Sequence, residues 1–315
     1  MCIATIGHGG RLTSALAALA ISTAGTLFLA VADNEPAGGD PPARVCGSGT
    51  VEDGRGQIPR VPDPHAITPE EAAELDEQLR RDAPDRVAQG AREVTIPVVF
   101  HVISGSDGTG AHSDASVDDQ VEVLNQAFAG ELGGHDTGFR FTLRDTTRTA
   151  DDDAFHDFPT HEERLKSDLR QGGADVLNIY SVDLGEGILG RSTFPQRVGE
   201  NLADDGLVVD YRTLPDGGRT DFDLGHTVVH ETGHWLALFH TFQNGCSAPG
   251  DYVDDTPYER EAAKGCPVGR DTCPHRAGED PVTNFMNYSD DACMREFTAG
   301  QSDRMWRAWL AYRAP

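Results

Sequence analysis

Leu224 to Thr241 reads LGHTVVHETGHWLALFHT and holds the residues best suited to chemistry. His230 and His234 stand four apart, so on a helix both imidazoles leave one face, a turn apart. Glu231 lies between them in H-E-x-x-H, able to reach a metal-bound water without itself binding the metal. His240 follows six residues after His234. If the helix ends and the chain turns back, a third imidazole completes a three-nitrogen zinc site whose fourth position stays open to water, as in catalytic zinc. The pentapeptide alone also describes many solvated helix faces; the third His makes it a metal motif. Such a site hydrolyses. Zinc lowers the pKa of its water toward roughly 7, while Glu231 acts as general base and then returns the proton to the leaving amine. His226 reads as helix surface or outer support, and His101, His112 and His135 as ordinary histidines.

Other candidate groups follow the motif. Cys246, Cys266, Cys273 and Cys293 form an even set within 48 residues, which an exported chain oxidises to two disulfides in one of three connectivities. Cys2 and Cys46 lie far upstream, and Cys46 is left odd once a leader is removed. Asp251, Asp254, Asp255 and Thr256 crowd oxygen donors into six residues, a run that a solvated acidic turn would also explain.

These groups need elements to hold them. Residues 1–32 carry one base, Arg11, then an Ala/Leu-rich run to Ala30-Val31-Ala32, the pattern of a cleaved signal peptide. An uncleaved anchor is the alternative, weakened by Ser22, Thr23 and Gly25. Residues 33–91 begin Pro/Gly/Asp-rich; Thr68-Pro69-Glu70-Glu71 then opens a charged helix to about Arg81, without a broad apolar face. That stretch reads as an appendage leaning on something else. The compact domain, 92–315, starts with the apolar strand Val94–Ser104. A helix capped by Ser116 follows, with Val117, Val121, Leu124 and Phe128 at helical spacing. Strands are expected at 139–144, 174–182 and 206–210, and a last helix at 301–313. Interleaved strands and helices give an α/β class; residues 241–295, rich in Gly, Pro, Asp and Cys, are irregular.

Composition narrows the partners. With 52 acids against 26 bases the formal charge is −26, which disfavours nucleic acid and anionic membrane surfaces. Calcium and basic peptides remain natural partners, polypeptide substrates follow from the zinc site, no stable membrane association is expected after signal cleavage, and a monomer is expected.

The zinc motif with Thr241 after it, Gly250-Asp251-Tyr252-Val253-Asp254-Asp255-Thr256-Pro257, Asn284-Phe285-Met286-Asn287-Tyr288 and Phe297-Thr298-Ala299-Gly300-Gln301 resemble the pappalysin (ulilysin-like) family of metzincin metallopeptidases over about residues 92–315. The resemblance implies a twisted mixed sheet with helices and an irregular, disulfide- and calcium-stabilised C-terminal subdomain. It implies Tyr288 as oxyanion donor, Met286 in the Met-turn beneath the metal, one catalytic zinc, and one or two calcium ions at Asp251, Asp254 and Thr256. It implies the pairs Cys246–Cys273 and Cys266–Cys293, and Asp290 or Asp291 in a pocket favouring a basic residue after the scissile bond. Arg44-Val45-Cys46-Gly47 resembles a cysteine switch, with the Cys46 thiolate holding the zinc of a latent zymogen. Ala237 departs from the pattern, which has Gly there; forcing Ala into the left-handed region costs about 1–2 kcal/mol. The reading is a secreted zinc endopeptidase. Its alternatives are a catalytically impaired zinc- and calcium-binding relative serving as a secreted binding module, and a calcium-dependent adhesion protein.

Overall fold

A computed structural model describes residues 67–84 and 92–315, together with the backbone of the hairpin β1 (Thr50–Asp53) and β2 (Gly56–Pro59). The apolar leader, Cys46 and the linker 85–91 lie outside the described residues. All described residues belong to one of two compact units, Ala43–Pro315. No helix among them is long and apolar enough to cross a membrane.

Helix α1 (Pro69–Asp82) starts where its capping box dictates: Thr68 Oγ1 accepts from the Glu71 N–H, and Glu71 Oε2 accepts from the Thr68 N–H. Its apolar stripe is narrow but real. Ala72 and Leu75 pack on Phe194 and Phe239, and Leu79 packs on Ala237 and Ala308. Asp76 sits in the same stripe and pairs with buried Arg304 at 2.6 Å.

The central sheet runs β4-β3-β5-β7-β6. Strand β3 (Val94–Ser104) lies parallel to β4 (Phe139–Ala150) and β5 (Leu177–Val182), and β5 parallel to β7 (Leu207–Asp210). The short β6 (Gly190–Ser192) is antiparallel to β7 and forms the edge. The sheet is therefore mixed, as expected. Val98, Phe100 and Val102 of β3 face one way, against Val117, Val121, Leu124 and Phe128 of α2 (Asp114–Phe128) and Val228 and Val229 of the zinc-motif helix. Ile103, Tyr180 and Val208 face the other, against α3 (Asp152–His156) and α4 (Phe158–Leu169) through Phe155, Phe158 and Leu165. Period-2 alternation along strands buried on both faces produces these two cores.

Several boundaries shift from expectation: β5 starts at Leu177 rather than residue 174, and the last α-helix runs Ala299–Ala308. The N-cap of α2 is Ser113, whose hydroxyl accepts from the Ser116 N–H at 3.2 Å, so the helix begins a turn earlier. Strand β4 runs on to Ala150 because its Thr-rich second half pairs with β3 across a bulge at Val98/Val99.

Beyond Leu236 the chain is irregular until α6 (Ala299–Ala308), apart from a lone bridge between Asn284 and Glu296. Disulfides Cys246–Cys273 and Cys266–Cys293 cross-link this segment in the pairing the resemblance implies.

Candidate active site

Helix α5 (His226–Trp235) is buried along its whole length, between the sheet and the Met-turn. Its close fit depends on Gly233: a methyl group there would lie 2.3 Å from Met286 Sδ. At its N-terminus, Asp291 Oδ2 accepts from the Leu224 N–H at 2.9 Å and the His226 N–H at 3.4 Å. His226 is buried and its Nδ1 donates to the Asp291 carbonyl, so it is a strut rather than surface.

After Leu236, Ala237 takes φ +74° and reverses the chain. The departure from Gly therefore does not displace the turn. Ala237 bonds its N–H to the His234 carbonyl and accepts at its own carbonyl from Arg304 Nε, each at 2.8 Å. These contacts and full burial hold a conformation that Ala rarely adopts.

The reversal brings three imidazoles together. His230, His234 and His240 place their Nε2 atoms 3.1, 3.1 and 3.2 Å apart. His230 Nδ1 meets the Phe285 carbonyl at 2.6 Å and His234 Nδ1 the Leu238 carbonyl at 2.7 Å. A carbonyl only accepts, so each Nδ1 carries the ring proton and each Nε2 of this pair presents a lone pair. Burial pushes His230 down to about 4, which keeps it neutral at pH 7. Lone pairs converging at this distance repel unless a cation lies among them. Tetrahedral zinc with Zn–N of about 2.0–2.1 Å has ligand edges of about 3.3–3.4 Å, so the donor set fits zinc. These are the described residues whose ligand atoms cluster as a metal site would require.

Around the triangle, Tyr288 brings its hydroxyl to 3.1 Å from His240 Nε2 and its ring against both His230 and His240. Met286 is fully buried beneath α5, and its carbonyl accepts from the Thr241 N–H. Glu231 is buried next to β6; a methyl group on Gly190 would come within 2.9 Å of its Cγ and Oε1.

A relative in Podospora anserina, named an extracellular metalloprotease, is 37% identical over 94% of this chain and 97% of its own. The family model for peptidase M43, described as pregnancy-associated plasma protein-A, matches residues 173–310. The chain belongs to the M43 pappalysin family. Among solved structures, a Tannerella forsythia promirolysin mutant superposes with a TM-score of 0.64 at 28% identity, covering 77% of this pappalysin and 87% of that chain. Mature mirolysin in complex with a cleaved peptide gives 0.60 at 30% identity, covering 69% and 91%. This pappalysin is an extracellular metalloendopeptidase with the metzincin fold, and catalytic zinc is the cofactor its family implies.

The remaining sequence-nominated residues scatter by role. Asp251 and Thr256 are buried, whereas Asp254 is exposed. Asp255 holds the start of α6, accepting from Thr298 Oγ1 at 2.7 Å and the Gly300 N–H at 2.8 Å. Asp290 is partly exposed, and burial, with Asp221 nearby, raises its pKa. Asp291 is buried at the head of α5, with its pKa pushed up to about 7 by burial. Gly190, Gly233 and Arg304 support the site without having drawn attention in the sequence. A lone Gly or Arg carries no signal until its neighbours are known.

Proposed function

We propose that the chain is a zinc endopeptidase made as a latent zymogen, with His230, His234 and His240 as ligands, Glu231 as general base and Tyr288 as donor to the developing oxyanion. The observation that carries this reading is the convergence of three imidazole nitrogens 3.1–3.2 Å apart. Zinc, when bound, supplies Lewis acidity that brings the pKa of water from 15.7 toward about 7 and polarises the scissile carbonyl. Glu231 takes the proton of the attacking water and passes it to the leaving nitrogen. The Tyr288 O–H, at the His240 rim, donates to the oxygen that gains negative charge. Edge strand β6, passing over Glu231, offers backbone groups to which an extended peptide adds as a further strand. Met286 fills the floor beneath α5 and takes no part in proton transfer.

Residues 1–32 act as a signal peptide, 33–91 as the pro-segment and 92–315 as the catalytic domain. Within the pro-segment the Cys46 thiolate occupies the open zinc position, since soft sulfur binds zinc well. Calcium binds at Asp251 and Thr256, with Asp254 at the exposed rim. In support, Asp251 Oδ2 and Thr256 Oγ1 are buried without a hydrogen bond of good geometry, although Thr256 is near enough to lower the carboxyl's pKa somewhat. Burial pushes Asp251 up to about 8, and a bound cation would return it to the carboxylate. Asp290, rather than the engaged Asp291, favours Arg or Lys after the scissile bond.

The deciding experiment compares wild type with Glu231→Ala on a quenched peptide library. Wild type cleaves, loses activity to 1,10-phenanthroline and shows enrichment of Arg or Lys after the cut; Glu231→Ala keeps zinc and cleaves nothing. Full activity after zinc removal would overturn the mechanism. For latency, Cys46→Ala yields premature activity, and unchanged latency in that variant excludes the switch.

A further inference from the structure

His240 and Tyr288 stand 48 residues apart in sequence, yet their side chains meet at 3.1 Å in a region without helix or strand. One backbone bond, from the Thr241 N–H to the Met286 carbonyl at 3.2 Å, ties the two segments, and a buried side-chain group ties them again. Glu259 is that group by geometry: its side chain is fully buried, inside the loop closed by Cys246–Cys273. Glu259 Oε2 accepts from Thr241 Oγ1 and from Asn287 Nδ2, both at 2.8 Å. Thr241 is the residue after His240, and Asn287 the residue before Tyr288. Asn287 Oδ1 in turn accepts from the Tyr288 N–H at 2.8 Å and the Ala263 N–H at 2.9 Å. The other oxygen, Oε1, pairs with Arg270, whose Nε also donates to Asp280 at 2.6 Å.

We infer that Glu259 is a positioning residue, whose single oxygen Oε2 joins the His240 segment to the Tyr288 segment and sets the spacing of imidazole and phenol. Two donors on one oxygen, with a guanidinium on the other, require a carboxylate; an amide keeps one acceptor oxygen but turns an NH2 toward Arg270. Burial raises the Glu259 pKa, and the Asn287 and Thr241 donors, with Arg270, oppose that rise by favouring the charged form. The inference rests on the roles given above to His240 and Tyr288.

The test uses the processed, zinc-loaded enzyme carrying Glu259→Gln, Thr241→Val or Asn287→Ala, alone and combined with Tyr288→Phe. Disulfide content and thermal unfolding check that each variant folds. Glu259→Gln should lower kcat about 10- to 100-fold with KM within about twofold. That loss should shrink below about threefold in the Tyr288→Phe background, because the phenol being positioned has gone. Asn287→Ala should lower kcat and leave zinc release to a chromophoric chelator unchanged, whereas Thr241→Val should speed release about tenfold. A folded Glu259→Gln enzyme with wild-type kcat, or a loss of the same size with and without the Tyr288 hydroxyl, overturns the inference. If Glu259→Gln does not fold, Thr241→Val decides it: unchanged zinc release counts against it and faster release supports it. Zinc release does not require turnover, so a wild type that fails to cleave peptides refutes the peptidase reading while this measurement still judges Glu259.

Discussion

Gly190→Ala isolates the role of Glu231 without touching it. A methyl group at position 190 would stand 2.9 Å from Glu231 Cγ and Oε1 and 3.0 Å from Thr227 Cγ2. Ordinary carbon contacts are about 3.5–4.0 Å, so something must yield by about 0.5–1 Å. Thr227 Cγ2 is fixed one bond beyond Cβ on α5, whereas Glu231 has three side-chain torsions with which to move, so the Glu231 side chain yields. A 1 Å misplacement of a reacting group costs about 100-fold, equivalent to about 2.7 kcal/mol of barrier. Stability should hardly change. Gly190 lies in the regular edge strand β6, where Ala fits the backbone and limits the unfolded chain by about 0.4–1 kcal/mol. The assay measures kcat and KM on a quenched peptide, zinc stoichiometry and thermal unfolding on the same preparation. The expected result is a 10- to 100-fold fall in kcat at full zinc occupancy and near wild-type melting. Wild-type kcat, or a loss matched by loss of zinc, would refute the reasoning.

Asp76→Ala removes the carboxylate that pairs with buried Arg304, and breaking a buried pair costs about 3–5 kcal/mol; denaturant unfolding should show this, and a change under about 1 kcal/mol would mean that α1 is not firmly docked. Ala237→Gly relieves about 1–2 kcal/mol of left-handed strain but loses about 0.8 kcal/mol of methyl burial and about 0.4–1 kcal/mol through the freer unfolded chain, so its stability should stay within about 1 kcal/mol of wild type. Calcium should raise the melting temperature more at pH 8 than at pH 5. Asp251, with its pKa raised to about 8, stabilises the calcium-free fold at low pH and loses that contribution as pH rises through about 8, and bound calcium offsets the loss. A calcium increment independent of pH would place the ion elsewhere.

Local chemistry made much of this protein readable. VTIPVVFHVIS is a strand because β-branched residues suit a pleat buried on both faces, and it forms over the expected bounds. Thr68 and Glu71 close a capping box that needs only three residues of separation. The α1 stripe was harder to see because Ala72, Leu75 and Leu79 stand among acids and bases, and one of the buried positions is Asp76. Its partner Arg304 lies 228 residues away, beyond any local pattern.

The sequence by itself marked the three imidazoles that could hold a metal: a fixed helical repeat puts His230 and His234 on one face, and His240 lies within a short turn of them. It also located β3, β5, β7 and the first half of β4, though not the edge strand β6, and it supplied the cysteines of both disulfides. Tertiary structure alone decided that Ala237 could take a conformation suited to Gly, that Gly190 must leave room for Glu231, and that Asp255 and Asp291 serve helix starts. It also placed the Glu259 carboxylate between the His240 and Tyr288 segments. The physical reason is range. Propensity, capping and periodicity act over a few residues, whereas a buried carboxylate takes its role from whichever donors the folded chain brings within 3 Å of it.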